Sequence, residues 1–304
     1  MKTKMIDASD YAILFDKREG EFCTTELGAM RTRTIRAGDS LEAEVFPITK
    51  IGEDAKREAK KRRSSPAQER LNRKRTAKRI RRLAETNFVP PDLHLTLTYD
   101  YGRLDPGMCN LEDMIRFFEE SDYPFDDEDV KRHLKNFLRR LKRRIKANGH
   151  NPKELKYIYV IESTKEARID DPHPLPPHYH VHLLIHAPGV GREEIEALWG
   201  FGYANAKRLD FSRNGLEALC NYLTKQKNCT HRWGHSRNLK EPEVRVSDRK
   251  VSRRRAAMVA RDVQYNGREI SEAIYPGYRV EEVEVRYSDF VAGAYIYARM
   301  RRQI

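Results

Sequence analysis

The chain has 304 residues, room for one good-sized domain with extensions or for two small ones. With 59 Lys and Arg against 46 Asp and Glu its formal charge is +13, and 39% apolar with 35% charged residues describes a heavily ionised surface. No run approaches the roughly 18 apolar residues that cross a bilayer, the first twenty residues lack a secretory signal, and the four cysteines (Cys23, Cys109, Cys220, Cys229) form no CxxC pair. The expectation is a cytoplasmic protein with reduced thiols, free of the membrane.

The charge is uneven. Residues 55–83 carry fourteen Lys and Arg against two Glu, a block that repels itself and suits an arm for polyanions. Pro66 is expected to interrupt any helix there. Next comes LHLTLTY at 93–99, where Leu93, Leu95, Leu97 and Tyr99 alternate with His94, Thr96 and Thr98, the pattern of a half-buried strand. An amphipathic segment LEDMIRFFEE follows a Gly and Pro loop.

VKRHLKNFLRRLKRRIK at 130–146 repeats Leu134, Phe137, Leu138, Leu141 and Ile145 at helical spacing. Arg139, Arg140, Arg143, Arg144 and further lysines make up its other face. Asp126, Asp127, Glu128 and Asp129 precede it and suit the positive end of its dipole. Two basic faces in one chain favour a nucleic-acid partner over a merely solvated surface.

Further along, LKYIYVIES (155–163) is a strand, DDPHPLPP is irregular, and HYHVHLLI (178–185) is a third strand. GREEIEALWG is a short helix, FGYANAKRLD a strand and GLEALCNYLTKQ a helix opened by Asn214-Gly215. In the tail, VSRRRAAMVARD is a helix and VEEVEVRYSDF alternates like a strand. The order predicts an α+β fold with an antiparallel sheet and helices on one face. The organisation expected is a basic extension over 1–87, the main domain over 88–230 and a small accessory segment over 231–304.

Alternate side chains of a strand share a face, so His178, His180 and His182 align, and neutral imidazoles so arranged can hold a divalent ion. Glu162 ends the neighbouring strand, and a carboxylate would tilt the preference to Mg²⁺ or Mn²⁺. In GLEALCNYLTKQ, Leu216, Leu219, Cys220 and Leu223 form the apolar stripe, while Tyr222 and Lys225 project from the other side. A phenol can attack phosphorus when a cation withdraws charge from the phosphate and an ammonium favours the phenolate.

With these residues the chain resembles the HUH endonucleases, specifically the single-tyrosine rolling-circle replication initiators of small phages and plasmids. LHLTLTY after RRLAETNF is similar to their first strand and its lead-in, PHYHVHLLI to their two-histidine motif, and NYLTKQ to their Tyr-x-x-Lys motif. The resemblance spans about residues 70–230. It implies a five-stranded antiparallel sheet with helices behind it (HUH/RRM-like), Tyr222 as nucleophile, Lys225 as its electrostatic helper, Glu162 and two of the three histidines as ligands of Mg²⁺ or Mn²⁺, and a 5′-phosphotyrosine intermediate. His180 belongs to both possible pairs, His178 with His180 and His180 with His182.

The partners implied are single-stranded origin DNA in a stem-loop, bound by Lys74, Arg75, Lys78, Arg79 and the arginines of 139–144, and the host helicase and DNA polymerase, since no GxxxxGK[ST] occurs. If phage-encoded, the chain works in the host cytoplasm. Alternative readings are a relaxase, a single-tyrosine transposase, or a non-catalytic basic nucleic-acid binder. Tyr295 and Tyr297 stand as other conceivable nucleophiles.

Overall fold

The structure is a computed structural model and describes residues 24–51, 66–100, 126–164, 178–211, 215–225, 232–263, 266–287 and 294–303. In chain order the elements are β1 (Thr24–Ala37), β2 (Ser40–Ile51), α1 (Pro66–Asn87), β3 (Leu93–Tyr99), α2 (Asp127–Ala147), β4 (Lys156–Thr164), β5 (His178–His186), α3 (Arg192–Ala197), β6 (Gly202–Arg208), α4 (Glu217–Leu223), β7 (Trp233–His235), β8 (Glu243–Ser247), α5 (Arg253–Arg261), α6 (Asn266–Ile274), β9 (Tyr278–Tyr287) and β10 (Ala294–Arg302). The fold is α+β. Two compact units divide it: Arg75–Lys240, and the two ends of the chain, up to Lys74 and from Glu241. No described helix is long and apolar enough to cross a membrane.

The central unit holds a five-stranded antiparallel sheet in the order β6-β3-β5-β4-β7. Along β3 burial alternates as the sequence predicts, with Leu95, Leu97 and Tyr99 buried and His94, Thr96 and Thr98 half-buried. Onto the leucine face packs α2, whose Val130, Leu134, Phe137, Leu141 and Ile145 meet Leu95, Leu97, Val181, Leu183 and Ile185. Each such side chain, fully buried, contributes about 1.5–3 kcal/mol. The acidic run does start this helix: the Asp126 carboxylate accepts from the backbone N–H of Glu128 (2.8 Å) and Asp129 (3.1 Å), and Asp129 accepts from the Asp126 N–H (3.3 Å), a closed capping box.

Helices cover both faces rather than one. Opposite α2, Ile80, Leu83, Ala84 and Phe88 of α1 and its exit join Leu216, Cys220 and Leu223 at α4, and together they cover Ile158, Val160 and Leu184. Pro66 is not in the interior of α1. It opens α1, where the missing N–H costs nothing because first-turn amides have no intrahelical acceptor. The stripe expected on GLEALCNYLTKQ is the buried one, although the helix stops at Leu223 and caps on Thr224. The segment LEDMIRFFEE lies outside the described residues.

In the terminal unit the sheet order is β8-β1-β2-β10-β9. The stretch read as a basic extension contributes the β1–β2 hairpin, and β2 pairs with β10 from the far end of the chain (Val45 opposite Ile296). The hairpin turns on Gly38-Asp39, with Gly38 at φ 56° between the paired Ala37 and Ser40. A two-residue Gly-Asp link between alternating runs is the sequence signal for it. The expected tail helix is α5 and the alternating tail strand is β9. Met30, Val45 and Ile296 pack with Ala256 and Val259 of α5 and with Ile270 and Ile274 of α6.

Candidate active site

Cross-strand pairs share a sheet face, so register alone assembles the site. Thr98, His180 and Glu162 lie in one row across β3, β5 and β4, and Thr96, His182 and Val160 in the next. His178 pairs with Thr164 at the start of β5. The face is the one that α1 and α4 cover.

Both ring systems are held by threonines of β3. Thr98 Oγ1 lies 3.0 Å from His180 Nδ1 and Thr96 Oγ1 lies 3.3 Å from His182 Nδ1. At the far side of its ring, His182 Nε2 is 2.9 Å from Glu162 Oε2. A hydroxyl either donates or accepts, so Thr96 suits two states of His182: one with a proton on Nε2 against Glu162, and one with a bare Nε2 facing a cation. The two imidazole centroids are 6.5 Å apart.

His182 is 4% exposed and enclosed by rings. His94 stacks on it at 5.6 Å with 19° between planes. Burial, then the neighbouring His182 and Lys207 side chains, push the pKa of His94 down to about 4, and its buried Nε2 has no hydrogen-bond partner among the described residues. Tyr222 also meets His182, the two rings edge-on at 5.7 Å and 83°. Tyr222 is 56% exposed, so a large substrate can reach the phenol.

The α4 helix stands where it does because of the α1 contacts. Its stripe is buried against α1, and Arg81, only 5% exposed, bonds through Nη1 to Glu217 Oε1 at 3.1 Å. Inside this packing the Cys220 thiol is fully buried, which pushes its pKa well up and keeps it protonated. Lys225 follows the cap, its backbone N–H donating to the Tyr222 carbonyl at 3.1 Å, with its side chain exposed.

Glu162, His180, His182 and Tyr222 thus come together from three sequence motifs. Sequence reasoning missed Thr96, Thr98 and His94, although the alternation in LHLTLTY already set them on one face. The imidazole and carboxylate donors suit a divalent ion in their chemistry, and the hydroxyls behind both rings stand where supporting bonds would orient such donors. Among the described residues no three His, Cys, Asp or Glu side chains already converge as a ready-made ion site. Glu162 and His182 are in contact, and a third donor would have to close on them.

The predicted phosphate-binding residues fall into two groups. Arg139, Arg140, Arg143 and Arg144 ride on α2, across the sheet from His182. Arg139, Arg143 and Arg144 are exposed, with Arg139 bonded to Asn136 (3.2 Å) and Arg144 to Glu194 (3.4 Å). Arg140 instead donates to the carbonyls of Leu198 (2.9 Å) and Trp199 (2.7 Å) and lies over the Phe201 ring. On α1, Lys74 is exposed while Arg75, Lys78 and Arg79 are half-buried. Lys74 belongs to the terminal unit and the other three to the central one. Of the other conceivable nucleophiles, Tyr297 is buried and donates to Glu42 at 3.0 Å.

Residues 92–227, from the start of β3 past Tyr222, match the family model described as Replication-associated protein ORF2, a rolling-circle replication initiator family. No curated protein and no solved structure matches the chain. The family match supports a role in replication initiation, with DNA as the partner class.

Proposed function

We propose that this protein is a metal-dependent nicking and joining enzyme for single-stranded DNA, a single-tyrosine rolling-circle initiator of the HUH kind. The observation that carries the reading is the meeting of an exposed phenol, Tyr222, with His182 and Glu162 on one sheet face. In the reaction the Tyr222 oxygen attacks the phosphorus of one phosphodiester and the bond from phosphorus to the 3′-oxygen breaks. The phenolic proton is lost and the departing 3′-oxygen gains one. The products are a 5′-phosphotyrosine and a free 3′-hydroxyl, which the host polymerase extends while the host helicase opens the duplex. One ester replaces another, so the 3′-hydroxyl can later reverse the step without ATP.

Glu162, His182 and His180 would hold Mg²⁺ or Mn²⁺, which when bound draws charge from the phosphate. The rest falls to the chain itself. Thr96 and Thr98 fix the two rings, the buried stripe of α4 fixes the backbone under Tyr222, and Lys225 adds an ammonium one turn on to favour the phenolate. Basic residues of α1 and α2 add salt-sensitive backbone affinity.

The test is incubation with origin stem-loop oligonucleotides and Mn²⁺, followed by denaturing electrophoresis. A covalent adduct that disappears in Tyr222→Phe is the expected result. An adduct that survives in Tyr222→Phe removes the assigned nucleophile, and tight binding with no adduct on any origin oligonucleotide makes the chain a non-catalytic binder.

A further inference from the structure

The outer edge of the same sheet carries a surface that the chemistry above does not use. Tyr203 on β6 is 64% exposed, the most exposed large apolar side chain among the described residues. It is paired with Thr98, which is paired with His180, so Tyr203 stands in the same row and on the same face as the site. Its Cα lies two strand spacings from that of His180, roughly 10 Å, the scale of a nucleotide and its neighbour. Next along this face come Asn205, opposite Thr96, and Lys207, opposite His94, both exposed.

Leaving a phenol ring in water forfeits the gain of burying it, and the helices on this face are packed elsewhere. The cluster beneath α1 and α4 takes its strand side chains from β4 and β5 (Ile158, Val160 and Leu184) and none from β3 or β6. The strand Gly202–Arg208, GYANAKR, contains no acidic residue. An exposed ring, an amide and an ammonium in line, with no carboxylate, complement a single nucleic-acid strand: a flat face for a base, donors and acceptors for its edge, and a positive charge for a phosphate. An acidic peptide would engage Lys207 but would have no use for an exposed aromatic ring at this spacing.

We propose that the β6 edge seats the single-stranded DNA that flanks the scissile phosphate, with Tyr203 stacked on a base and Lys207 against a backbone phosphate. This inference rests on the reading of Tyr222 as the point where the strand is opened. It assigns to the same sheet face a positioning surface, in which stacking on Tyr203 carries the contact with a flanking base.

The full-length chain is titrated with a fluorescein-labelled, unstructured oligonucleotide, and the same strand carrying 5-iododeoxyuridine is photocrosslinked and mapped by mass spectrometry. Tyr203→Ala is expected to weaken binding about tenfold, Tyr203→Phe to bind within about twofold of the parent, and Lys207→Gln to flatten the dependence of log K on log salt by about one phosphate contact. The crosslink is expected at Tyr203. Binding by Tyr203→Ala within about twofold of the parent, or equal losses in the Ala and Phe variants, overturns the proposal. Adduct formation at Tyr222 is scored in parallel. An intact adduct with binding indifferent to Tyr203 sinks the edge surface alone. Binding that depends on Tyr203 with no adduct from the parent chain sinks the nicking chemistry and leaves a strand-binding surface.

Discussion

The Tyr222 ring meets the His182 ring edge-on, 5.7 Å between centroids, while His182 Nε2 lies 2.9 Å from Glu162 Oε2. A phenol and a carboxylate that both meet one imidazole link the ion-binding and nucleophilic halves of the proposed chemistry through a single side chain. Glu162→Gln keeps the shape and removes the charge. Its expected effect is a loss of Mn²⁺ affinity of about ten- to a hundredfold, read from the free-ion signal in electron paramagnetic resonance. Unchanged Mn²⁺ binding in Glu162→Gln would remove the carboxylate from the ion site whatever the activity.

Thr98→Val deletes the hydroxyl that lies 3.0 Å from His180 Nδ1 and keeps the branched shape that suits a strand. The ring is then free to turn, so adduct formation should fall about ten- to a hundredfold, the range for supporting bonds behind ligand histidines. The thermal midpoint should move little, because Thr98 is only half-buried. Thr98→Ser should recover most of the activity. Equal activities for the Val and Ser variants would mean that the hydroxyl has no orienting role.

The site was legible in the sequence to the extent that strand periodicity fixes which side chains share a face. HYHVHLLI, LKYIYVIES and NYLTKQ single out the histidines, Glu162 and Tyr222, because alternation and helical spacing are local properties. Which strands are neighbours is not local. Pairing of β3 with both β5 and β6 is what sets Thr96 and Thr98 behind the rings and Tyr203 in their row. The same limit hid the terminal sheet, since β2 and β10 meet from segments some 250 residues apart, and charged side chains within β1 mask its alternation. Arg140 illustrates the same limit from the other side: a residue in a basic run looks like its neighbours, yet its guanidinium is turned onto two backbone carbonyls.

That difference separates two arginines three residues apart. Arg140→Gln leaves the carbonyls of Leu198 and Trp199 without their charged donor, and a charged hydrogen bond of this kind contributes about 1.5–3 kcal/mol. A lower midpoint in denaturant or thermal unfolding is expected, with strand affinity of the folded protein nearly unchanged. Arg143→Gln, exposed on the same helix, should leave the midpoint within about 0.5 kcal/mol. If Arg143 meets backbone phosphate, its loss should weaken binding about evenly across sequences and reduce the salt slope. A reversal of the two profiles would show that Arg140 belongs to the DNA-binding surface and Arg143 to the fold.

Gly202 begins β6 at a φ of 150°, opposite Tyr99. A Cβ there would sit 2.3 Å from the Thr98 carbonyl oxygen and 2.4 Å from the Asp100 amide nitrogen, backbone atoms in and just past the adjoining strand. Neither can swing aside as a side chain would, so Gly202→Ala has to push β6 away from β3 at the end nearest Thr98 and Tyr203. Strain of this kind costs about 1–3 kcal/mol, and the lost pairing adds to it. The expected result is a clear drop in unfolding free energy together with weaker single-strand binding, because the row from Tyr203 through Thr98 to His180 is broken at its edge. Gly200→Ala is the comparison: at a φ of 74° it is strained by its own backbone, but the nearest atom to its Cβ is the far end of Arg140 at 3.8 Å. It should lower stability without moving β6. Loss of strand binding in both folded variants to the same degree would detach the effect from the β3–β6 pairing, whereas loss in Gly202→Ala alone would tie the binding surface to it.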